Sequence, residues 1–112
     1  MGTIAKGVEF DTVAREWRCK WSADNDKASL AAAQALLDET LPALKSTKGV
    51  KGVQRIVCGG CLDFKVITSL QADAFGDWES NQFTPETDFL AKLKAIDGID
   101  TVETQTYTIM PM

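Results

Sequence analysis

Three groups of residues in this 112-residue chain have types and spacings that could carry chemistry. The first is Cys58-Gly59-Gly60-Cys61, followed by Asp63. A C-x-x-C pair can cycle between dithiol and disulfide, or supply half of a zinc site. Redox pairs of this spacing take their low thiol pKa from a helix N-terminus, whereas here Leu62–Leu70 alternates as a strand. Structural zinc needs a full set of four ligands. Cys19 is the only other thiol, and the chain has no histidine. The stretch therefore reads as a Gly-Gly hairpin turn whose cysteines pack as small apolar residues. An oxidised pair across the turn stays open for an oxidising setting. Without histidine, Ser-His-Asp and Cys-His nucleophilic sites and histidine-bound haem or zinc are excluded. No metal and no cofactor are expected.

The second group is a row of polar residues at period two. Arg18 and Lys20 alternate with Trp17, Cys19 and Trp21; Asp63 and Lys65 alternate with Leu62, Phe64 and Val66; Glu103, Gln105 and Tyr107 alternate with Val102, Thr104 and Thr106. Three strands that each turn such a set to one sheet face would build a polar surface. That surface could bind a small anion or an oxygenated aromatic, with Arg18 or Lys20 supplying charge and Tyr107 a hydrogen bond. The alternative is a solvated rim of cross-strand pairs, each worth little. The third group is aromatic: Trp17, Trp21, Phe75, Trp78 and Phe83. At strand or helix spacing such residues are core; Trp78, in a less regular segment, is the one assigned to a ligand pocket.

The elements that must position these groups follow from the pattern. Residues 1–12 are an arm with strand character near Val8–Phe10, and 13–112 are one domain. "REWRCKWS" is a strand. "ADNDKASLAAAQALLDETLPALKS" is a helix capped by Asp24, Asn25 or Asp26, with Leu30, Ala33, Leu37, Leu41 and Leu44 as its apolar stripe. Pro42 should kink it or end its regular part. "VQRIVC" and "LDFKVITSL" are strands joined by Gly59–Gly60. "ADAFGDWESNQF" is a short or broken helix. In "TPETDFLAKLKAIDG", Thr84 is the expected N-cap, Pro85 the first helical residue and Gly98 the stop. "IDTVETQTYTIMP" is the last strand. This β-α-β-β-α-β order predicts an α+β, ferredoxin-like domain: a four-stranded antiparallel sheet in the order last-first-third-second, with helices on one face. The open face carries Ile67 and Ile109 among its polar residues, which points to a homodimer packed sheet to sheet, a dimeric α/β barrel.

Composition narrows the setting. The net charge is −4 with basic residues scattered, so direct nucleic-acid binding is not expected. No apolar run is long enough for a membrane span or a signal peptide, which predicts a cytoplasmic protein without membrane contact.

"VKGVQRIVCGGCLDFKVITSL" and "FLAKLKAIDGIDTVETQTYTI" resemble the ligand-sensing domain of the leucine-responsive and asparagine-type regulators, over the last two-thirds of the chain. Gly60 and Asp63 fall on that family's G-x-x-D turn, and the resemblance implies that they contact a small effector near a dimer interface. The chain lacks room for the regulators' helix-turn-helix, and "FGDWESNQFTPE" is longer than the sensing domain has there. In that insertion, and in "LPALKSTKGVKGV", the chain is similar to the wider dimeric α/β-barrel superfamily of stress-responsive proteins and cofactor-independent monooxygenases. The expected function is small-molecule binding by a homodimer, with ligand residues Gly60, Asp63, Arg18, Lys20, Lys65, Tyr107 and Trp78. No catalytic residue is assigned. The alternatives are a cofactor-independent monooxygenase, or a cyclase or isomerase, on a small oxygenated or aromatic substrate, and an assembly module.

Overall fold

A computed structural model describes residues 2–112. Its elements are β1 (Gly2–Ala5), β2 (Val8–Phe10), β3 (Thr12–Lys20), α1 (Asp24–Lys45), β4 (Val50–Cys58), β5 (Asp63–Gln71), α2 (Ala72–Ser80), α3 (Glu86–Lys94) and β6 (Asp100–Ile109). Strands β4-β5-β3-β6 form one antiparallel sheet in that order, the arrangement expected of a ferredoxin-like α+β domain. The arm is a hairpin of β1 and β2, a separate two-stranded sheet, and Thr12 already belongs to β3. No helix among the described residues is long and apolar enough to cross a membrane.

Period-two alternation sorts the sheet's side chains. Trp17 and Cys19 of β3, with Phe64, Val66 and Leu70 of β5, are buried beneath the helices. They pack with Ala33, Leu36, Leu37 and Leu44 of α1, Phe75 and Trp78 of α2, and Phe89 and Leu93 of α3. The expected stripe of α1 faces this core, and Trp17 stacks on Phe89 at 4.7 Å between ring centroids.

Three local expectations are corrected. No side chain of Asp24, Asn25 or Asp26 caps α1; Asn25, Asp26 and Lys27 have φ of 53–62°, so the regular helix begins after them. The entry is held by serines instead: Asp24 N–H donates to Ser22 Oγ at 3.1 Å, and Ser22 N–H to Ser29 Oγ at 2.9 Å. Pro42 lies within α1, which runs on to Lys45. Thr84 does not cap α3, because its hydroxyl donates to the Asn81 carbonyl and Pro85 takes the cap position.

One charged cluster crosses the core side. Arg15 shares its sheet face with Trp17, so its charge must be met there. Glu86, at the start of α3, accepts from Arg15 Nε at 2.7 Å and from Trp17 Nε1 at 2.7 Å. Arg15 also donates to Thr106 Oγ1 at 2.9 Å and lies 4.1 Å from the Phe83 ring centroid. The Arg15 and Glu86 side chains are 15% and 13% exposed, buried enough that removing one partner strands the other. Glu86→Ala should therefore lower unfolding free energy by about 3 kcal/mol in urea titration. A loss below about 1 kcal/mol, the size of a surface pair, would contradict this role.

Candidate functional site

The polar row forms on the sheet face that the helices leave open. Register places Arg18 opposite Lys65 and Glu103, and Lys20 opposite Asp63. Between Arg18 and Lys20 the β3–β6 pairing shifts: Lys20 faces Asp100 while Arg18 faces Glu103. β6 thus carries one extra residue, and within that bulge Thr101 has φ of 52°. A β-branched residue in the left-handed region is strained, and bulges of this kind re-aim side chains beside functional sites. Here the bulge opens a cavity of about 220 Å³ lined by Arg18, Cys19, Lys20, Asp63, Lys65, Thr101 and Glu103.

The cavity's charges are partly matched. Lys20 Nζ pairs with Asp63 Oδ1 at 2.5 Å and donates to the Cys61 carbonyl at 2.9 Å. The Lys20 hydrogen bond, with Lys65 and Arg18 nearby, holds the Asp63 carboxyl below the usual carboxylate range. Its contribution to stability is present above that range and is lost on acidification. Arg18 Nη1 donates to Glu16 Oε2 at 3.2 Å. Arg18 Nε lies 3.3 Å from Glu103 Oε1, yet the buried Nε–H makes no hydrogen bond, because the carboxylate is out of line. Lys65 joins none of the ion pairs among the described residues. With Glu16 counted, three cations face three carboxylates, but Arg18 takes two of them and Lys20 the third, so the Lys65 ammonium has no direct ion-pair partner among the described residues.

The row continues past the cavity through Glu16. This carboxylate is 4% exposed, and Tyr107 Oη donates to its Oε1 at 3.0 Å. Burial and the Glu16 carboxylate push the Tyr107 phenol up to about 12. The phenol is therefore a hydrogen-bond donor across the physiological range and not a base. Burial, then Asp100 and Asp63, push the Cys19 thiol up to about 11, which leaves it a packed, unreactive group.

The expected ligand residues divide. Arg18, Lys20, Asp63 and Lys65 meet at the cavity, and Tyr107 joins them through Glu16. Gly60 lies outside the lining, exposed in the β4–β5 loop with open space around its Cα. The loop is also not the expected two-residue turn. Cys58 pairs with Asp63 across four intervening residues, and the positive φ falls on Leu62 (61°), not on either glycine. Cys58 and Cys61 are joined by a disulfide instead of packing as separate thiols. Trp78 belongs to the core beneath the helices and donates through Nε1 to the Thr84 carbonyl at 2.9 Å. It lines a larger groove of about 550 Å³ between α1 and α2. There the hydroxyls of Ser46, Thr47 and Thr84 turn back to nearby backbone carbonyls, and the charged lining residues Lys48 and Asp77 join none of the ion pairs among the described residues.

Glu16 and the β6 bulge were missed. Glu16 sits two residues from Arg18 on the same period-two face, so its place in the row was readable; its burial was not. The bulge has no sequence signal, since no glycine or proline marks Thr101.

No family model matches the chain, and no curated protein matches it by sequence. Solved structures do resemble it. Rv0793 from Mycobacterium tuberculosis superposes with a TM-score of 0.66 at 13% identity, covering 90% of this chain and 97% of that one. SnoaB, a cofactor-independent oxygenase from Streptomyces nogalater, gives 0.65 at 15% identity, covering 91% and 96%. A candidate antibiotic biosynthesis monooxygenase from Deinococcus radiodurans gives 0.67 at 16% identity, covering 89% and 94%. At these identities the likeness establishes a shared ferredoxin-like α/β fold. It is a likeness of fold alone, and the finer resemblance to the leucine-responsive sensing domain is not shown by it.

Tyr107 is the chain's only tyrosine, so its ionisation can be read directly at the phenolate absorption band. Its folded value lies above the unfolded value of about 10, so its share of stability is complete below that pH and is lost as pH rises toward 12. The titration should have a midpoint near 12 and move down in Glu16→Gln. A midpoint near 10 in the parent chain would remove Tyr107 from the buried row.

Proposed function

We propose that the chain is a homodimeric α/β-barrel protein that holds a small organic anion on the open sheet face, with Lys65 as its principal cation. The observation that carries this reading is the unmatched Lys65 ammonium in the bulge cavity. Ile56 and Ile109 are 44% and 38% exposed, and by register they flank the polar row on the same face. A second copy laid over this face would cover them. The same covering would bury an unpaired ammonium, which is costly unless an anion enters with it. Dimer and ligand therefore support one another. At about 220 Å³ the cavity is smaller than the usual range for drug-sized molecules, which favours a compact carboxylate or phenolate. The proposed setting is the cytoplasm, where the Cys58–Cys61 bridge would be exposed to reduction.

A second reading is a cofactor-independent monooxygenase, favoured by the structural likeness to SnoaB. The bound anion would then be a substrate enolate or phenolate, stabilised by Lys65 and Arg18, that itself reduces dioxygen. Binding ranks above catalysis because each carboxylate of the row already faces a cation, Glu16 and Glu103 on Arg18 and Asp63 on Lys20, whose hydrogen bond lowers the Asp63 pKa and makes it a weak proton acceptor. An assembly module ranks third, since the exposed isoleucines and valines are divided among three places: Ile56 and Ile109 beside the polar row, Ile4 and Val8 on the arm hairpin, and Val57 on the helix side of β4.

Benzoate serves as the probe. It should shift the amide resonances of Arg18, Lys65 and Glu103 in a saturable titration, and Lys65→Ala should weaken its binding about tenfold, or about 1.4 kcal/mol. Equal affinity in the variant, or shifts confined to the α1–α2 groove, would overturn the assignment. Dioxygen uptake with 1-naphthol would promote the second reading over the first.

A further inference from the structure

We infer that Cys58 and Cys61 form a redox-active couple, exchanging with small aliphatic disulfides and thiols, whose state sets the position of Lys20 and Asp63. This inference rests on the contacts of the β4–β5 loop and not on what the cavity binds.

Two features suit the pair to exchange without a helix N-terminus. Cys61 is exposed, and the Lys20 ammonium, shared with Asp63, is held on the carbonyl of the same residue at 2.9 Å. The Cys61 N–H donates to Cys58 Sγ at 3.2 Å, a contact that strengthens when that sulfur carries charge. The bridge closes over only two intervening residues. Cross-links over so short a loop restrain the unfolded chain least, so a stapling role accounts for little of its presence. An exposed bridge is also open to attack by external thiols.

Four contacts tie the loop to Lys20 and Trp21, and the two made by Lys20 reach the cavity. Lys20 binds both the Cys61 carbonyl and the Asp63 carboxylate. Trp21 N–H donates to the Leu62 carbonyl at 3.0 Å, and Trp21 Nε1 to the Asp63 carbonyl at 3.1 Å. Cys58 and Asp63 are opposite one another in register. A change in the sulfur bridge therefore cannot leave Lys20, Trp21 and Asp63 where they are.

Oxidation proceeds by exchange. The Cys61 thiolate attacks an external disulfide RSSR, forming a Cys61–SR mixed disulfide and releasing one thiolate. The Cys58 thiolate then attacks the Cys61 sulfur and releases the second. Two cysteine thiols become one internal disulfide, and RSSR becomes two RSH, which take up the two cysteine protons. Reduction by two RSH is the reverse.

The test equilibrates the full chain in buffers of reduced and oxidised glutathione, followed by acid quenching, alkylation and intact mass. The bridged chain should accumulate, lighter than the dithiol form by two hydrogens, with no persistent glutathione adduct and with Cys19 unmodified while the chain is folded. Amide resonances of Lys20 and Asp63 and the Trp21 indole resonance should move between the two states, while those of α3 stay fixed. Cys61→Ser should give the reduced-like spectrum in every buffer, and Cys58→Ser should trap the glutathione adduct on Cys61. A stable adduct on the parent chain would overturn the couple. Bridge formation with Lys20, Trp21 and Asp63 unmoved would overturn the link to the cavity. Both readouts are independent of benzoate, so failure here is separable from failure of the anion site.

Discussion

Everything in this molecule hangs on the alternation of β3. The strand is hydrogen-bonded along both edges, to β5 and to β6, so it can neither slip nor rotate without breaking two ladders. Its odd-numbered residues face the helices: Trp17 and Cys19 fill the core, and Arg15 reaches Glu86. Its even-numbered residues face away: Glu16, Arg18 and Lys20 form the spine of the polar row. One register error would exchange the core and the row. The Glu86 contacts guard against that error from the helix side, since a single carboxylate accepts from both Arg15 and Trp17.

The open face then has its own logic. Glu16 joins Tyr107 to Arg18, and Arg18 stands between Glu16 and Glu103. Where β6 bulges, the chain of pairs is interrupted and Lys65 is left over. A fully matched row would be a passive salt-bridge ladder of small worth. An unmatched cation on β5, lining the same cavity as the strained β6 bulge on a face with exposed isoleucines, is better suited to receiving an anion when that face is covered. The β4–β5 loop closes one end of the row, and its sulfur bridge adjoins the Lys20–Asp63 pair.

Much of this was legible in the sequence because strand and helix periods are strong signals. The order of elements, the strand order, the stripe of α1 and the sharing of one face by Arg18, Lys20, Asp63, Lys65 and Tyr107 all follow from spacing. The failures have common causes. Trp78 has helical spacing with Phe75 and went to the core, where bulky aromatics gain most from burial. Gly59 and Gly60 suggested a tight turn, but a four-residue loop places its positive φ elsewhere, on Leu62. The caps of α1 and α3 were assigned to side chains at the usual cap positions, whereas Ser22 and Ser29 hold the entry to α1 and no side chain caps α3. The bulge at Thr101 arises from pairing with β3, and one strand read alone does not show it.

The central claim is that the open face is covered by a second copy with a small anion held between. Native mass spectrometry of the untreated protein tests both halves at once. The main species should be twice the 12.2 kDa chain mass and carry a small bound molecule that is absent from Lys65→Ala. A single 12.2 kDa chain with nothing bound would contradict the claim.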